Sequence, residues 1–381
     1  MNHEGYTVET IETLEGLEKI KEDWKNLFDL KKEKSIFFSF GVFKIYYTTI
    51  IENFKNTKIE IFVIRNKNRK VVAIFPFIFE TEQKFLLRFR RLFVKGPNRI
   101  GFYYFLIDPR EEPDIIFQRF IEYQKNNTKK WDVIKFHLVP ENEELYKVCK
   151  SIFTSQYRTK EIETCTQVVN CNSNFDEYAE SNVKGRRIKD IKRSIRRLSE
   201  VGKLNFIEVK GKQDIEKGLK YFYDIEDKNW KGQKGTSLLR TYQGDFYKKL
   251  AFHFSEDDSV RIYLLQLNDR YVAGAYVIVD REIFYLMKIG YDEDFYQYSP
   301  SILLMYFLFK KIFGDNEIIK FDYFGPFYSW EEIFGGYLRK RHDFFVYNNK
   351  ANSQVYYLFE NYYVPFFEWM VRKIKRTSND D

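Results

Sequence analysis

Two stretches of the chain repeat one pattern of apolar and polar positions. Residues 61–74 read IFVIRNKNRKVVAI and residues 262–275 read IYLLQLNDRYVAGA, aligned without a gap 201 positions apart. Each is an apolar run, a polar turn (Asn66-Lys67-Asn68, or Asn268-Asp269) and a second apolar run, which is the signature of a β-hairpin. Asp23-Trp24-Lys25 and Asn229-Trp230-Lys231 precede the two hairpins, each after a helical pattern. Val133-Ile134-Lys135-Phe136 and Ile318-Ile319-Lys320-Phe321 follow them, each after an amphipathic helix. Short apolar matches arise by chance, but three in the same order indicate an internal duplication.

The repeated unit reads helix, hairpin, third strand, helix, strand. In the second copy these last elements are predicted at Glu282–Tyr291, Ser301–Phe313 and Glu317–Phe324. An antiparallel meander followed by a strand–helix–strand crossover gives a mixed sheet with helices packed on it. The expected fold is therefore α/β (α+β): two tandem units, each a mixed, mostly antiparallel sheet flanked by helices. The boundaries expected are 1–160 and 175–381, and Gln156–Asn174 is a connector or an extra exchanged strand. A length of 381 residues suits two such domains.

Lys184 to Arg197 holds eight Lys/Arg and one acid, Asp190. On a helix, Ile188, Ile191, Ile195 and Leu198 form one stripe, and Arg186, Lys189, Arg193, Arg196 and Arg197 lie opposite. A charged face is usually solvated, but this one has little acid to balance it. It suits a phosphate-bearing ligand, a transfer RNA or anionic lipid, while nothing indicates sequence-specific reading of DNA. The whole chain is only mildly basic, with 63 Lys+Arg against 55 Asp+Glu.

The second copy has residues that the first lacks. Pro300 is placed to open a helix and Ser299 to cap it, so that Ser299 and Ser301 stand at an anion-binding helix start. Asp322 takes the place of His137; a carboxylate among Phe321, Tyr323 and Phe324 is either paired, for example with Lys288, or a base of raised pKa. In the Gly-rich loop EDKNWKGQKGT (226–236), Trp230 either anchors the core or stacks on a ligand. Lys231 there is either solvated or meets phosphate. The four histidines are scattered and give no readable metal site.

Taken together, RxxKDIKRSIRRLxxxG (186–202), WKGQKGT (230–236), KIGYDEDFYQYSPSILL (288–304) and FDYFGP (321–326) resemble the CelD/BcsL-type acetyltransferases of the GNAT superfamily. Tandem units of this kind are also the architecture of the related FemAB-type aminoacyl ligases. The resemblance implies acyl transfer from acyl-CoA to an amine or hydroxyl, often in cell-surface polysaccharide metabolism. It places the donor between the strand ending near Lys288 and the strand with Asp322, with backbone N–H groups of Met287–Ile289 at the oxyanion. For such a transfer the base expected from the residues is Asp322, with Lys288 beside it and Tyr291 or Tyr298 as proton donor to the leaving thiolate. Arg186, Lys189, Arg193, Trp230 and Lys231 then serve substrate binding, and no metal is expected. The pyrophosphate loop departs from the family pattern, because Tyr296–Ser301 contains no glycine. Alternatives are a transfer-RNA-dependent ligase and a non-catalytic envelope-assembly scaffold.

Cys149, Cys165 and Cys171 have no framework spacing, which suits a reducing compartment. The start, Met1–Gly5, lacks the pattern of a signal peptide. The apolar run Ile302–Phe309 stops at Lys310-Lys311, short of the ~20 residues that span a bilayer. The expectation is a cytoplasmic protein. The aromatic tail from Gln354 to Arg376 reads first as a helix covering the core, and alternatively as a peripheral contact with anionic membrane.

Overall fold

The computed structural model describes residues 5–370 apart from 33, 85–86, 95–104, 128–129, 316 and 367–368. In the first half, strand β1 (Thr7–Ile11), helix α1 (Phe40–Asn53) and strands β2 (Thr57–Arg65), β3 (Val71–Lys84), β4 (Leu87–Val94) and β5 (Leu106–Ile107) come first. Helix α2 (Pro113–Asn126), β6 (Val133–Pro140) and β7 (Arg158–Asn170) follow. The second half contains α3 (Gly185–Val201), β8 (Leu204–Val209), α4 (Ile215–Asp227) and α5 (Tyr242–His253). It continues with β9 (Val260–Leu267), β10 (Arg270–Asp280), β11 (Ile283–Tyr291), α6 (Pro300–Phe313), β12 (Lys320–Asp322), β13 (Tyr337–Tyr347) and α7 (Ala351–Leu358).

The duplication is visible in the pairing. β2 and β3 form the first hairpin, β9 and β10 the second, and both are antiparallel. The strand after each crossover helix is parallel to its neighbour: β4 with β6, and β11 with β12. Arg69 (φ 60°) and Asn268 (φ 50°) adopt the left-handed conformation that tight hairpin turns require.

The two units share one sheet, ordered β1-β2-β3-β4-β6-β13-β7-β12-β11-β10-β9-β8, with β5 paired to β3. Most of the segment 156–174 is thus strand β7, Arg158–Asn170, and not a loose connector. β7 lies between β12 and β13, and β13 lies between β6 and β7, so each half completes its sheet with a strand of the other. β7 and β13 pair antiparallel from Tyr337↔Val168 to Tyr347↔Arg158, with His342 opposite Glu163 at the middle.

The core also crosses the halves. One apolar cluster joins Trp24, Val42, Phe62 and Phe77 to Phe222, Phe246 and Tyr276. A second, on the other face of the C-terminal half, holds Leu198, Leu265, Phe284, Leu304 and Phe321. Helix α1 reaches the second half through the Tyr46–Phe246 and Phe54–Tyr242 edge contacts and the Lys249–Glu52 pair at 2.6 Å. The turn before α1 places Phe37 against Tyr285 and Phe324, with centroids 5.0 and 4.5 Å away. The first half therefore walls one face of the second.

Candidate active site: a bulged strand beside an open notch

β12 is shorter than its apolar run predicts. It pairs with β11 only over Ile283–Tyr285, opposite Lys320–Asp322. The chain then turns away: Phe324 takes a left-handed backbone (φ 62°), and its N–H donates to Asp322 Oδ1 at 2.8 Å. An Asp side chain that accepts from the second residue after it closes a tight turn. β11 meanwhile runs on to Tyr291, so among the described residues its outer edge from Leu286 has no strand partner and a notch opens between the two parallel strands.

The register of β11 shifts where the notch begins. Val277 faces Leu286 and Tyr276 faces Lys288, which leaves Met287 as the extra residue of a β-bulge. A bulge takes backbone groups off the ladder and puts two successive side chains on similar headings. The contacts agree. Leu286 and Ile289 belong to the α6 side, whereas Met287 packs in the cluster shared with the first half. Lys288 Nζ lies 3.4 Å from Gln243 Oε1 and 5.5 Å from the Tyr247 ring centroid, both on α5.

The structure separates several residues that the sequence groups together. Asp322 is 2% exposed, as a carboxylate in an aromatic strand should be. Its partner, however, is Arg339 of β13 and not Lys288. Arg339 on one oxygen and the Phe324 N–H on the other give the paired arrangement, with Arg339 in the place expected of Lys288. Tyr291 packs on the α6 side, away from Lys288. Burial, and then Glu293, raise its phenol pKa, which weakens it as a proton donor. Tyr298 also lies on that side, beneath the Arg197 guanidinium at 5.6 Å.

Helix α6 begins at Pro300 as expected, but Ser299 does not cap it with its side chain. Ser299 instead has a left-handed backbone (φ 53°), and its carbonyl accepts from Ile302 and Leu303. The start of α6, with Ser301 in its first turn, is therefore a helix N-terminus without a side-chain cap, where the helix dipole favours an anion. The basic helix α3 packs beside it. Ile191 and Leu198 are buried, while Arg186, Lys189, Arg193, Arg196 and Arg197 are exposed or only loosely paired.

The loop after α4 corrects another expectation. Trp24 is fully buried and donates to Phe38 O, but its counterpart Trp230 is 48% exposed, so the duplicated tryptophan is not a second core anchor. Lys231 turns inward. Its ammonium bonds Glu226 Oε1 at 2.6 Å and Ile289 O at 3.2 Å, tying the end of α4 to β11 just past the bulge. Glu226 is 1% exposed, and its other oxygen accepts from Leu238 N–H at 2.8 Å. Sequence reading left Glu226 out, although the signal was present: it continues the buried stripe Ile215, Leu219, Phe222 of α4 at helical spacing. Gly290 permits this approach, since a Cβ there would come within 3.2 Å of the Glu226 Cα.

Two cavities of about 460 and 400 Å³ lie elsewhere, one lined by Lys55, Lys58, Phe79 and Arg88 and the other by Lys210, Lys217, Tyr221 and Tyr271. At the central seam, Glu141, Glu163 and His342 bring one potential metal-ligand atom each within 4.8 Å of one another. Lys340 pairs with Glu163 there, so protein cations already balance part of that charge.

Comparison with known proteins agrees with this geometry. Residues 185–331 match the family model described as an acetyltransferase (GNAT) domain. No curated protein matches the chain. Among solved structures it is similar to FemX at 13% identity, covering 93% of this chain and 100% of that one with a TM-score of 0.58. It is also similar to the C-terminal domain of a putative lysylphosphatidylglycerol synthetase from Agrobacterium fabrum at 11% identity (89% and 94% covered, TM-score 0.51). L-PGS from Bacillus licheniformis resembles it at 12% identity (87% and 92% covered, TM-score 0.50). At such identities the likeness is one of fold. The family match spans α3, the bulged strand, the start of α6 and the Asp322 turn, so residues 185–331 carry the likeness to a GNAT acetyltransferase domain.

Proposed function

We propose that the second half transfers an acyl group from acyl-CoA to an amine or hydroxyl of a cell-surface glycan or lipid precursor, in the manner of the CelD/BcsL-type enzymes its motifs resemble. The observation that carries this reading is the Met287 bulge at the mouth of an unpaired strand edge. A thioester lying along that edge would set its carbonyl oxygen against backbone N–H groups of Met287–Ile289, where preorganised donors favour the tetrahedral oxyanion. The donor's fit rests on two features of this chain: the open edge of β11 beyond Tyr285, and the N-terminus of α6, at Ser299 and Ser301, for its phosphates. Lys288, Gln243 and the exposed ring of Trp230 would line the acceptor side.

The reaction is direct attack by the acceptor on the thioester carbonyl. A C–N or C–O bond forms, the C–S bond breaks, and the proton lost by the nucleophile balances the one gained by the departing thiolate. Burial pushes the Cys149 thiol well above its ordinary value and the Cys171 thiol up to about 12, so neither suits a cysteine acyl-enzyme. Isothermal titration with acetyl-CoA and longer acyl-CoAs tests the reading. Binding that weakens at least tenfold in Ser301→Glu supports it, and no heat with any acyl-CoA removes it.

A second reading has its own support. The FemX-like fold over 93% of the chain and the exposed cations Arg186, Lys189 and Arg193 suit a ligase that takes its acyl group from aminoacyl-tRNA. Filter retention of RNA that disappears when those three become Glu would favour it.

A further inference from the structure

The C-terminal helix presents an aromatic stripe that the acyl-transfer reading does not use. Helix α7 is fixed on its inner side: Tyr356 is buried against Phe89 with ring centroids 4.5 Å apart, its hydroxyl donates to Glu82 at 3.0 Å, and Ser353 donates to Asp132 O. Beyond it, the chain makes a π-turn at Phe359–Tyr363 before Pro365. A proline ring would collide with the carbonyl four residues back in a straight helix, and a wider turn relieves that clash. The outward side carries Val355, Leu358, Tyr362, Tyr363, Phe366 and Trp369, each between 44% and 60% exposed. Six large apolar side chains in fifteen residues, most of them aromatic, form a contiguous patch of the kind that marks an interaction surface.

The sequence next to the stripe indicates what covers it. Arg372, Lys373, Lys375 and Arg376 follow directly, and between Asn361 and Arg376 there is a single acid, Glu368. Exposed Tyr and Trp rings settle at the boundary between acyl chains and headgroups, and adjacent Lys/Arg residues are drawn to anionic headgroups. Among the described residues no helix is long and apolar enough to cross a membrane. We infer that the C-terminal helix docks the protein on an anionic lipid bilayer, with Tyr362, Phe366 and Trp369 entering the interface and Arg372–Arg376 neutralising headgroups. The inference does not depend on the acyl-transfer reading. It would, however, place the second half beside membrane-borne acceptors.

Co-sedimentation of the full chain with vesicles tests it. Vesicles of phosphatidylcholine and phosphatidylglycerol (3:1) should pellet the protein, and phosphatidylcholine alone should pellet at least tenfold less. Tyr362→Ser/Phe366→Ser/Trp369→Ser should lower binding about tenfold or more at unchanged circular dichroism. Arg372→Glu/Lys373→Glu should lower it similarly, and 0.5 M salt should imitate the charge reversal. Equal pelleting with both vesicle types, or wild-type binding by the triple variant, overturns the proposal. So does light scattering that shows a dimer which the triple variant turns into a monomer, because the stripe would then be a self-interface.

Discussion

Asp322 offers the sharpest decision between structure and chemistry. It is 2% exposed, with Arg339 on one carboxylate oxygen and the Phe324 N–H on the other. Asp322→Asn keeps an acceptor for Phe324 and loses the charge, a change that should cost about 2 kcal/mol, within the range for a hydrogen bond to a charged group. Arg339→Leu leaves a buried carboxylate without its cation and should cost about 3 kcal/mol. If the two residues act only on each other, the double variant should cost no more than the worse single one, a coupling of about 2 kcal/mol. Urea unfolding of the four proteins measures this. Each rate, of acyl transfer or basal acetyl-CoA hydrolysis, should stay within about threefold once folded protein is counted. A loss of a hundredfold or more in Asp322→Asn, with stability unchanged, would show that Asp322 is the general base and that the ion-pair argument is mistaken.

Deleting Met287 should iron out the bulge and restore plain alternation, with residues 288–291 keeping their faces and their partners on β10, so that only the off-ladder backbone groups are lost. The expected result is loss of acyl-CoA binding in calorimetry with a folded far-UV spectrum; retained binding would separate the donor site from the bulge. Lys231→Met should destabilise by about 3 kcal/mol by leaving Glu226 buried beside Leu238 N–H alone, and adding Glu226→Gln should restore most of it; a denaturation series without that rescue would show that the pair is not coupled. Burial alone would raise the Asp343 pKa, but His137, Lys135 and Leu138 N–H outweigh it and hold the value at about 2. A depressed carboxylate pKa stabilises the fold fully above the unfolded value near pH 4 and loses that contribution as pH falls through about 2. Roughly 2 kcal/mol should therefore disappear between pH 5 and pH 2, and Asp343→Asn should lack that part of the acid sensitivity.

Periodicity made the duplicated elements legible, because alternation and helical stripes are local properties of the chain. The two hairpin turns were placed, and β11 and α6 were read to within a residue or two. What the sequence concealed was set by partners far along the chain. Arg339 is paired with Asp322 across seventeen residues and two turns, and the left-handed Phe324 that ends β12 early has no signature in an apolar run. Lys231 looked like a solvated loop lysine because its inward turn depends on Glu226 and on a carbonyl of β11. The bulge was invisible for a different reason: one extra residue leaves hydrophobic alternation almost intact and shows only in the register with β10. The tail's basic end, 372–376, was expected to be either a solvated helix end or a membrane contact, and it lies outside the described residues.

The exchange of β7 and β13 sets a clock for synthesis. The first half cannot close its sheet until Tyr347 has been made, about 180 residues after β7 is complete. At about 5–20 residues per second this leaves β6 and β7 as open edges for roughly 10–35 s. During that interval the nascent chain exposes strand edges to any neighbour that can pair with them. Cutting the gene between its two repeats should make the same exposure permanent, so the halves are interdependent as folding units even though they are copies as structures.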